Sequence, residues 1–597
     1  MPANEIAPEA LNSADVPVRS VRMGERNGTA EWRADGTILL RSSLPPLTDF
    51  GTWNDRLAHW GKAESDRAFL TEAADGGDRR TLTFGQALEG ARKVARALLA
   101  HGLNAELPLA VLGENTIEVA LMTLGAHLAG VPVSPISPSY ALLATDFAKL
   151  QGTIDALGAG MVFVQDGERY GAAVQATIRP DIPIVSAGRM IKDRATQSFE
   201  DFIASPHAAD IDLDSVKIAG DTVAKIMFTS GSSGAPKPVM LPHRMLADNR
   251  AQLMQVYEFL QDEPPVLVDW LPWHHTFGGI NNFGFALWCG GTLHIDAGRP
   301  NPNGVLKTIE LIKRYSPTLF FNSPSGFEAM IPHLRDDAVF RAAFFSKLKL
   351  LQYGGAMLPV HLWEALDDLA VAETGTRILM VSGIGSTECG PTPVQSSWEQ
   401  HRKPEAGLPV PGVVAKLVPF EDTFELRLKG DCITPGYWRR PDLTEQAFDD
   451  EGFFLLGDAV KPVDPNDFAR GLLFDGRISD SFKLSTGTWV AAMAIRQKLL
   501  EGLAPLLTDA VVTGHNRNEI GAIGFADMDT ARRLAQIDSS RAEDIFGSVV
   551  LRQWIHDRLS AMAASAGGSS QRIMRFALSD ELPSLDNGEL TDKGTAS

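Results

Sequence analysis

One stretch, residues 226–257, constrains this chain more than any other. The apolar run 226–228 reads as a short strand. Then come Thr229, Ser230, Gly231, Ser232, Ser233 and Gly234, a fixed kink at Ala235-Pro236, and a cation, Lys237. Beyond it Leu246, Leu253, Met254 and Tyr257 recur at helical spacing. The expected order is strand, small-residue loop, helix. Backbone N–H groups left bare by glycine, hydroxyl donors and one ammonium together suit a polyphosphate. A Walker A loop is excluded: Gly231 and Gly234 are too close together, and no glycine precedes Lys237. Taken without its context, a Ser/Gly loop is more often a plain solvated loop.

The rest of the first 400 residues alternates between strand and helix signals. Thr83-x-x-Gln86 is a capping box. Ala87, Leu88, Ala91, Val94, Ala95, Leu98 and Leu99 then lie on one helical face. A buried strand is expected at 107–112 and an apolar helix at 115–129, broken by Gly130-Val-Pro-Val-Ser-Pro. Strands at 161–164 and 183–185 continue the alternation. This is the pattern of parallel sheets with crossover helices. Residues 1–45 read as a polar surface arm with a hairpin around Asp35-Gly36. From about 412 the texture changes: 424–429 alternates strictly, as a half-buried antiparallel strand does. Gly476-Arg477-Ile478-Ser479-Asp480 marks a boundary. Beyond it strands at 510–512, 522–525 and 573–578 surround a helix carrying Val550, Leu551, Trp554, Ile555, Leu559 and Met562. The expected fold is α/β. A large N-terminal domain, 1–475, has parallel-rich sheets and a β-rich part at about 412–475. A small α+β C-terminal domain covers 476–597, about the size of an independent core.

Composition narrows the partners. The 597 residues carry a formal charge of −19, and 44% are hydrophobic. Such a surface favours solubility and disfavours nucleic acid or anionic membrane. An anionic substrate must then be drawn in by local cations. Cys289, Cys389 and Cys432 have neither disulfide nor metal-ligand spacing, which fits a reducing cytoplasm. The first residues lack a basic, then apolar leader, and no apolar run reaches membrane-spanning length. A homodimer stays open.

The loop 229–237 resembles the phosphate loop of the adenylate-forming superfamily, the acyl-CoA synthetases and their relatives. Pro238 stands where that pattern has glycine, and it removes a donor from the end of the loop. Five further stretches resemble the superfamily in its order. Leu271-Pro-Trp-His-His-Thr-Phe-Gly278 is similar to the motif flanking the carboxylate substrate, with His275 at the key position. Tyr353-Gly354-Gly355-Ala356 is similar to the segment that wraps the adenine. In Gly383-Ile384-Gly385-Ser386-Thr387-Glu388, the resemblance implies a Thr387 hydroxyl on the α-phosphate and a Glu388 carboxylate on Mg²⁺. Ile384 replaces the aromatic that stacks on adenine in relatives. In the block 430–458, Asp458 is implied as the ribose ligand, able to accept from both hydroxyls; Arg477 is implied to join it.

The resemblance further makes Ser479 and Asp480 the hinge of a mobile domain and Lys483 the lysine of the thioester step. The longer Lys-Leu-Ser-Thr-Gly487 run and 269–279 resemble the feruloyl-CoA synthetase branch, as do 1–45 and 582–594. Near the end Glu589 follows Gly588 where a catalytic lysine is usual, leaving Lys593 as the candidate for adenylation. The implied activity is an ATP-dependent acid–CoA ligase using ATP, Mg²⁺ and coenzyme A on a small-molecule carboxylic acid. A hydroxycinnamate such as ferulate is the expected substrate, with Phe277, Phe283, Phe327 and Gly383 lining its site beside His275. Another aromatic or medium-chain fatty acid, or loading of a carrier protein, stays open. So does a non-catalytic nucleotide-binding role, given Pro238, Ile384 and Glu589.

Overall fold

The computed structural model describes residues 13–48, 50–74, 78–144, 146–208, 210–229, 236–400 and 405–580. By internal contacts the chain divides into two units. The first holds Met1–Lys416, Leu428–Leu455 and Pro462–Leu473. The second holds Leu417–Arg427, Leu456–Lys461 and Phe474–Ser597. The expected division put all of 412–475 with the large domain; here two strand segments of that range group with the second unit.

Two seven-stranded sheets organise the first unit among the described residues. One runs, in spatial order, Lys237–Pro242, Val223–Thr229, Val133–Ile136, Leu109–Leu112, Met161–Val164, Ile184–Ser186, Gln197–Ser198. All its neighbours are parallel except the first pair. The other runs Leu379–Val381, Leu350–Tyr353, Leu319–Asn322, Val266–Asp269, Thr292–Ile295, Ala68–Ala73, Arg79–Thr83, parallel until the final hairpin. Strands covered on both faces must be apolar throughout, and Leu109–Leu112 and Met161–Val164 are buried at every position.

The helices follow from their caps and faces. Thr83 N–H donates to Gln86 Oε1 at 3.0 Å, and Gln86 N–H donates to Thr83 Oγ1 at 3.3 Å, closing the expected box. Helix Phe84–Ala100 buries Ala87, Leu88, Ala91, Val94, Ala95 and Leu98. It packs on helix Ile117–Ala129, where a methyl group on Gly125 would overlap the Val94 side chain. The second helix starts two residues later than the apolar run suggests, because Thr116 caps it by accepting from Val119 N–H at 3.2 Å. The preceding strand also starts late. Pro108 has no N–H to give the sheet, so pairing begins at Leu109 and Leu107 stays exposed. Near the N-terminus, Gly28–Trp32 and Ile38–Ser42 do form a hairpin around Asp35-Gly36. It is not a polar arm: Ile38, Leu39 and Leu40 are buried.

The second unit has its own core. Leu507–Thr513 pairs antiparallel with Ile520–Ala526, which pairs parallel with Ile573–Ser579. Helix Val549–Ala564 presents Leu551 and Ile555 to Leu499, Leu503, Ala510, Ala522 and Ile545. Among the described residues no helix is long and apolar enough to cross a membrane.

Candidate active site

The phosphate-loop stretch differs from its expected order. Strand Val223–Thr229 turns into a second strand, Lys237–Pro242, antiparallel to it, and only then does helix His243–Val256 begin. Val239 and Leu241 alternate into the core, a period-2 signal hidden between two prolines. Thr229 and Lys237 are register partners, so they face each other at the loop end of the hairpin. Ser230, Gly231, Ser232, Ser233 and Gly234 lie outside the described residues.

The outer edge of Lys237–Pro242 is taken by the 434–438 segment. Trp438 N–H donates to Pro238 O at 2.7 Å, and Met240 N–H donates to Gly436 O at 3.1 Å. This pairing carries Tyr437 in beside Lys237, whose Nζ lies 5.7 Å from the phenol ring centroid. The Tyr437 hydroxyl donates to Glu388 Oε1 at 3.1 Å, and the Ser386 hydroxyl donates to Glu388 Oε2 at 2.9 Å. Thr387 and Glu388 sit in a single 3₁₀ turn capped by Ser386, which accepts from Glu388 N–H at 3.2 Å. Burial and the nearby Glu388 charge push the Tyr437 phenol well above its usual range, so it stays a donor. Gly385 is exposed and must be glycine, because a Cβ there would overlap the Pro391 carbonyl. Ile384 is buried in the sheet and not on the surface.

The 271–278 and 353–356 stretches meet directly. The exposed ledge Gly355-Ala356 follows strand Leu350–Tyr353, with Gly355 at φ +85°. The Phe277 ring lies on Gly354, so close that an added Cβ would stand 3.1 Å from its Cε1. His275 and Phe277 are both partly exposed. The motif that carries them is clamped by Asn115, which donates to Leu271 O and accepts from Trp273 N–H, each at 2.9 Å. Asp269 ends the preceding strand and accepts from Leu271 N–H at 3.0 Å; burial pushes its carboxyl up to about 8. Gly383 is likewise at a tight point, its Cα facing the Val394 carbonyl and Gln395.

Two expected substrate contacts are core residues. Phe283 is buried, with its ring 5.0 Å from Trp273 and 5.5 Å from Phe69. Phe327 is buried against Phe320, at 5.8 Å. An aromatic in an apolar run fills a core as readily as it lines a pocket, and here the core takes both.

In the second unit, Asp458 is nearly buried, and its Oδ1 has no hydrogen-bond partner among the described residues. Arg477 Nε lies 3.6 Å from it, outside hydrogen-bond reach. Burial pushes the Asp458 carboxyl up to about 6; Arg477 opposes the shift and Asp480 adds to it. Ser479 and Asp480 lie in the 3₁₀ turn Ile478–Asp480, with the Ser479 hydroxyl donating to Asp480 at 3.2 Å. Lys483 is exposed opposite Trp489, its Nζ 4.9 Å from that ring centroid. Lys593 lies outside the described residues.

Sequence reading missed Tyr437, Asn115 and Asp269. Tyr437 lies in the 430–458 block that carries the resemblance. Asp269 stands at the start of the 269–279 stretch, and its partner, the Leu271 N–H, is only two residues on. Asn115 had no signal, because its partners, the Leu271 carbonyl and the Trp273 N–H, are backbone groups more than 150 residues away.

Among the described residues no cluster of three or more His, Cys, Asp or Glu could hold a metal. Glu388 alone offers a half-buried carboxylate, each oxygen already accepting one hydroxyl. That donor set suits an ion such as Mg²⁺, which keeps waters and takes its remaining ligands from substrate phosphates.

Comparison with known proteins now adds to this geometry. The sequence matches the family described as AMP-binding enzyme across residues 57–438. It is 27% identical over 399 residues to a carboxylic acid reductase of Segniliparus rugosus, covering 63% of this chain but only 31% of that protein. It is 26% identical over 472 residues to a Rhodococcus jostii CoA ligase named for a methyl-dioxo-octahydroindenyl propanoyl group, covering 76% of this chain and 85% of that one. The fold matches an anthranilate CoA ligase solved with anthranoyl-AMP, at a TM-score of 0.71 and 20% identity, over 92% of this chain and 96% of the other. With nearly two-thirds of its length matched, the chain belongs to the AMP-binding enzyme family, the adenylate-forming acid–thiol class of enzymes.

Proposed function

We propose that this protein is an acid–CoA ligase acting on a carboxylic acid with an aromatic or apolar body, a hydroxycinnamate such as ferulate being the first candidate. The observation that carries the reading is Phe277 lying on Gly354. It supports a planar acyl group beside the adenine ledge, with the His275 ring next to the carboxylate. No relative named above is a ferulate enzyme, and the reading takes in the wider class of aromatic and apolar acids.

In the first half-reaction a carboxylate oxygen attacks the α-phosphorus of ATP and pyrophosphate leaves. Two anions repel, so catalysis rests on positioning and on charge stabilisation. Lys237 supplies a cation at the mouth of the phosphate-loop hairpin, and the Thr387 hydroxyl donates to the phosphate. Glu388, oriented by Ser386 and Tyr437, would hold Mg²⁺, which neutralises phosphate charge when bound. Asp458 Oδ1, buried and with no donor among the described residues, suits a ribose hydroxyl, with Arg477 beside it. In the second half-reaction the thiolate of coenzyme A attacks the acyl carbon and AMP leaves. Lys483 serves that step and Lys593 serves adenylation.

A second reading, loading of a carrier-protein phosphopantetheine, is favoured by the similarity to a carboxylic acid reductase. The test is a panel of ferulate, coumarate, caffeate, benzoate, medium-chain fatty acids and malonate. Each is scored by ATP-dependent pyrophosphate release and by thioester formed on free coenzyme A. The reading expects aromatic acids to lead on both. Fatty acids leading would move the substrate class. Pyrophosphate release without a coenzyme A thioester would favour the carrier.

A further inference from the structure

Lys225 sits in strand Val223–Thr229, four residues before the Ser/Gly loop begins. Its side chain is buried. Nζ donates to the Gly279 carbonyl at 3.0 Å and lies 5.3 Å from the Trp53 ring centroid. His127, near the end of helix Ile117–Ala129, feels the Lys225 charge, and His243, at the start of its own helix, lies next to His127; Asp55 acts on His243. The two imidazoles are 5.3 Å apart, and none of their four nitrogens has a hydrogen-bond partner among the described residues. Burial pushes Lys225 down to about 7, His243 to about 4 and His127 well below its usual value. An amine buried among apolar side chains and uncharged imidazoles is costly, and among the described residues its ammonium donates to a single carbonyl.

That carbonyl belongs to the π turn Phe277–Asn282. Single π turns are rare and gather at functional sites. Gly279 N–H donates to His275 O at 2.8 Å, and Gly279 is packed so tightly on Trp273 that a Cβ would overlap its carbonyl. The turn's first side chain is Phe277. A continuous path therefore runs from Lys225 through Gly279 to His275 and Phe277.

We propose that Lys225 is a positioning residue for acid binding: by holding the Gly279 carbonyl it fixes the Phe277–Asn282 turn, and with it His275 and Phe277, against the strand that leads into the Ser/Gly loop. This rests on the acid-side reading of His275 and Phe277 given above.

The test compares Lys225→Met, which keeps length and loses the donor, with Lys225→Gln, which keeps a neutral donor. Lys225→Met should raise the acid KM by roughly tenfold, the worth of one bond from a charged donor, with the ATP KM nearly unchanged. Lys225→Gln should recover part of the loss. In the wild type, acid kcat/KM should fall as pH rises through about 7, as the ammonium becomes a weaker neutral donor. Lys225→Met should lack that fall. A folded Lys225→Met with unchanged acid KM and pH profile overturns the proposal. If that variant does not fold, the profile is taken in His275→Ala protein, whose own imidazole no longer titrates; a flat profile near neutrality then overturns it. His275→Ala also separates the two ideas. If it leaves acid KM unchanged, the acid-side reading fails; if it raises KM while Lys225→Met does not, only the role of Lys225 fails.

Discussion

The phenol of Tyr437 donates a 3.1 Å hydrogen bond to Oε1 of Glu388, and the same ring underlies the ammonium of Lys237. One side chain thus orients the candidate metal carboxylate and flanks the candidate phosphate cation. Tyr437→Phe keeps the ring and removes the donor. Loss of one hydrogen bond to a charged group costs about 1.5–3 kcal/mol. The variant should need roughly ten times more Mg²⁺ for half-maximal pyrophosphate release, at unchanged ATP saturation and thermal stability. An unaltered Mg²⁺ requirement would separate Tyr437 from Glu388's role.

Asp458 gives a pH prediction with a definite sign. Its carboxyl, raised to about 6, must be ionised to accept ribose hydroxyls. ATP KM should therefore rise as pH falls below about 6, approaching tenfold per pH unit. Stability moves oppositely. A carboxyl whose folded pKa lies above its unfolded value adds stability fully present below about 4 and lost as pH rises through about 6. Asp458→Asn should thus raise Tm at pH 7, by about 1–3 kcal/mol of unfolding free energy, while raising ATP KM. Calorimetry and steady-state kinetics on one preparation check both signs.

Lys593→Ala and Lys483→Ala should split the reaction. The first should suppress ATP–pyrophosphate exchange by roughly a hundred- to a thousandfold, typical of losing one transition-state charge donor. It should spare the reaction of a pre-formed acyl-adenylate with coenzyme A. Lys483→Ala should do the reverse. Equal damage to both half-reactions from either change would remove the division of labour.

Gly125 tests the packing of the first unit. A methyl there gains about 1 kcal/mol of helix propensity, but it overlaps Val94 across the helix pair. Overpacking of this kind costs about 1–3 kcal/mol, so Gly125→Ala should lower the unfolding midpoint. Val94→Ala in the same chain should restore part of it, visible in denaturant titration.

Much of this protein is legible from its residues alone. Apolar runs such as Leu109–Leu112 and Met161–Val164 announce doubly covered strands, and Thr83 with Gln86 announces a helix start. These signals are local: hydrogen bonds and burial periods close within a few residues, so the chain states them without its neighbours. The motif order likewise carried the family and the adenylate-forming chemistry.

What the tertiary structure decided is wherever a residue's meaning depends on a distant partner. Lys237–Pro242 is a strand because it pairs antiparallel with Val223–Thr229, and the 434–438 segment bonded to its outer edge delivers Tyr437 to Glu388. Phe277, Phe283 and Phe327 are alike in the sequence. Only packing sends the first onto Gly354 and buries the other two, since an aromatic ring takes whichever apolar surface the fold presents. Lys225 reads as a polar residue in an apolar strand. The hydrogen bond of its ammonium, to a carbonyl more than fifty residues away, exists only once the strand and the π turn are brought together.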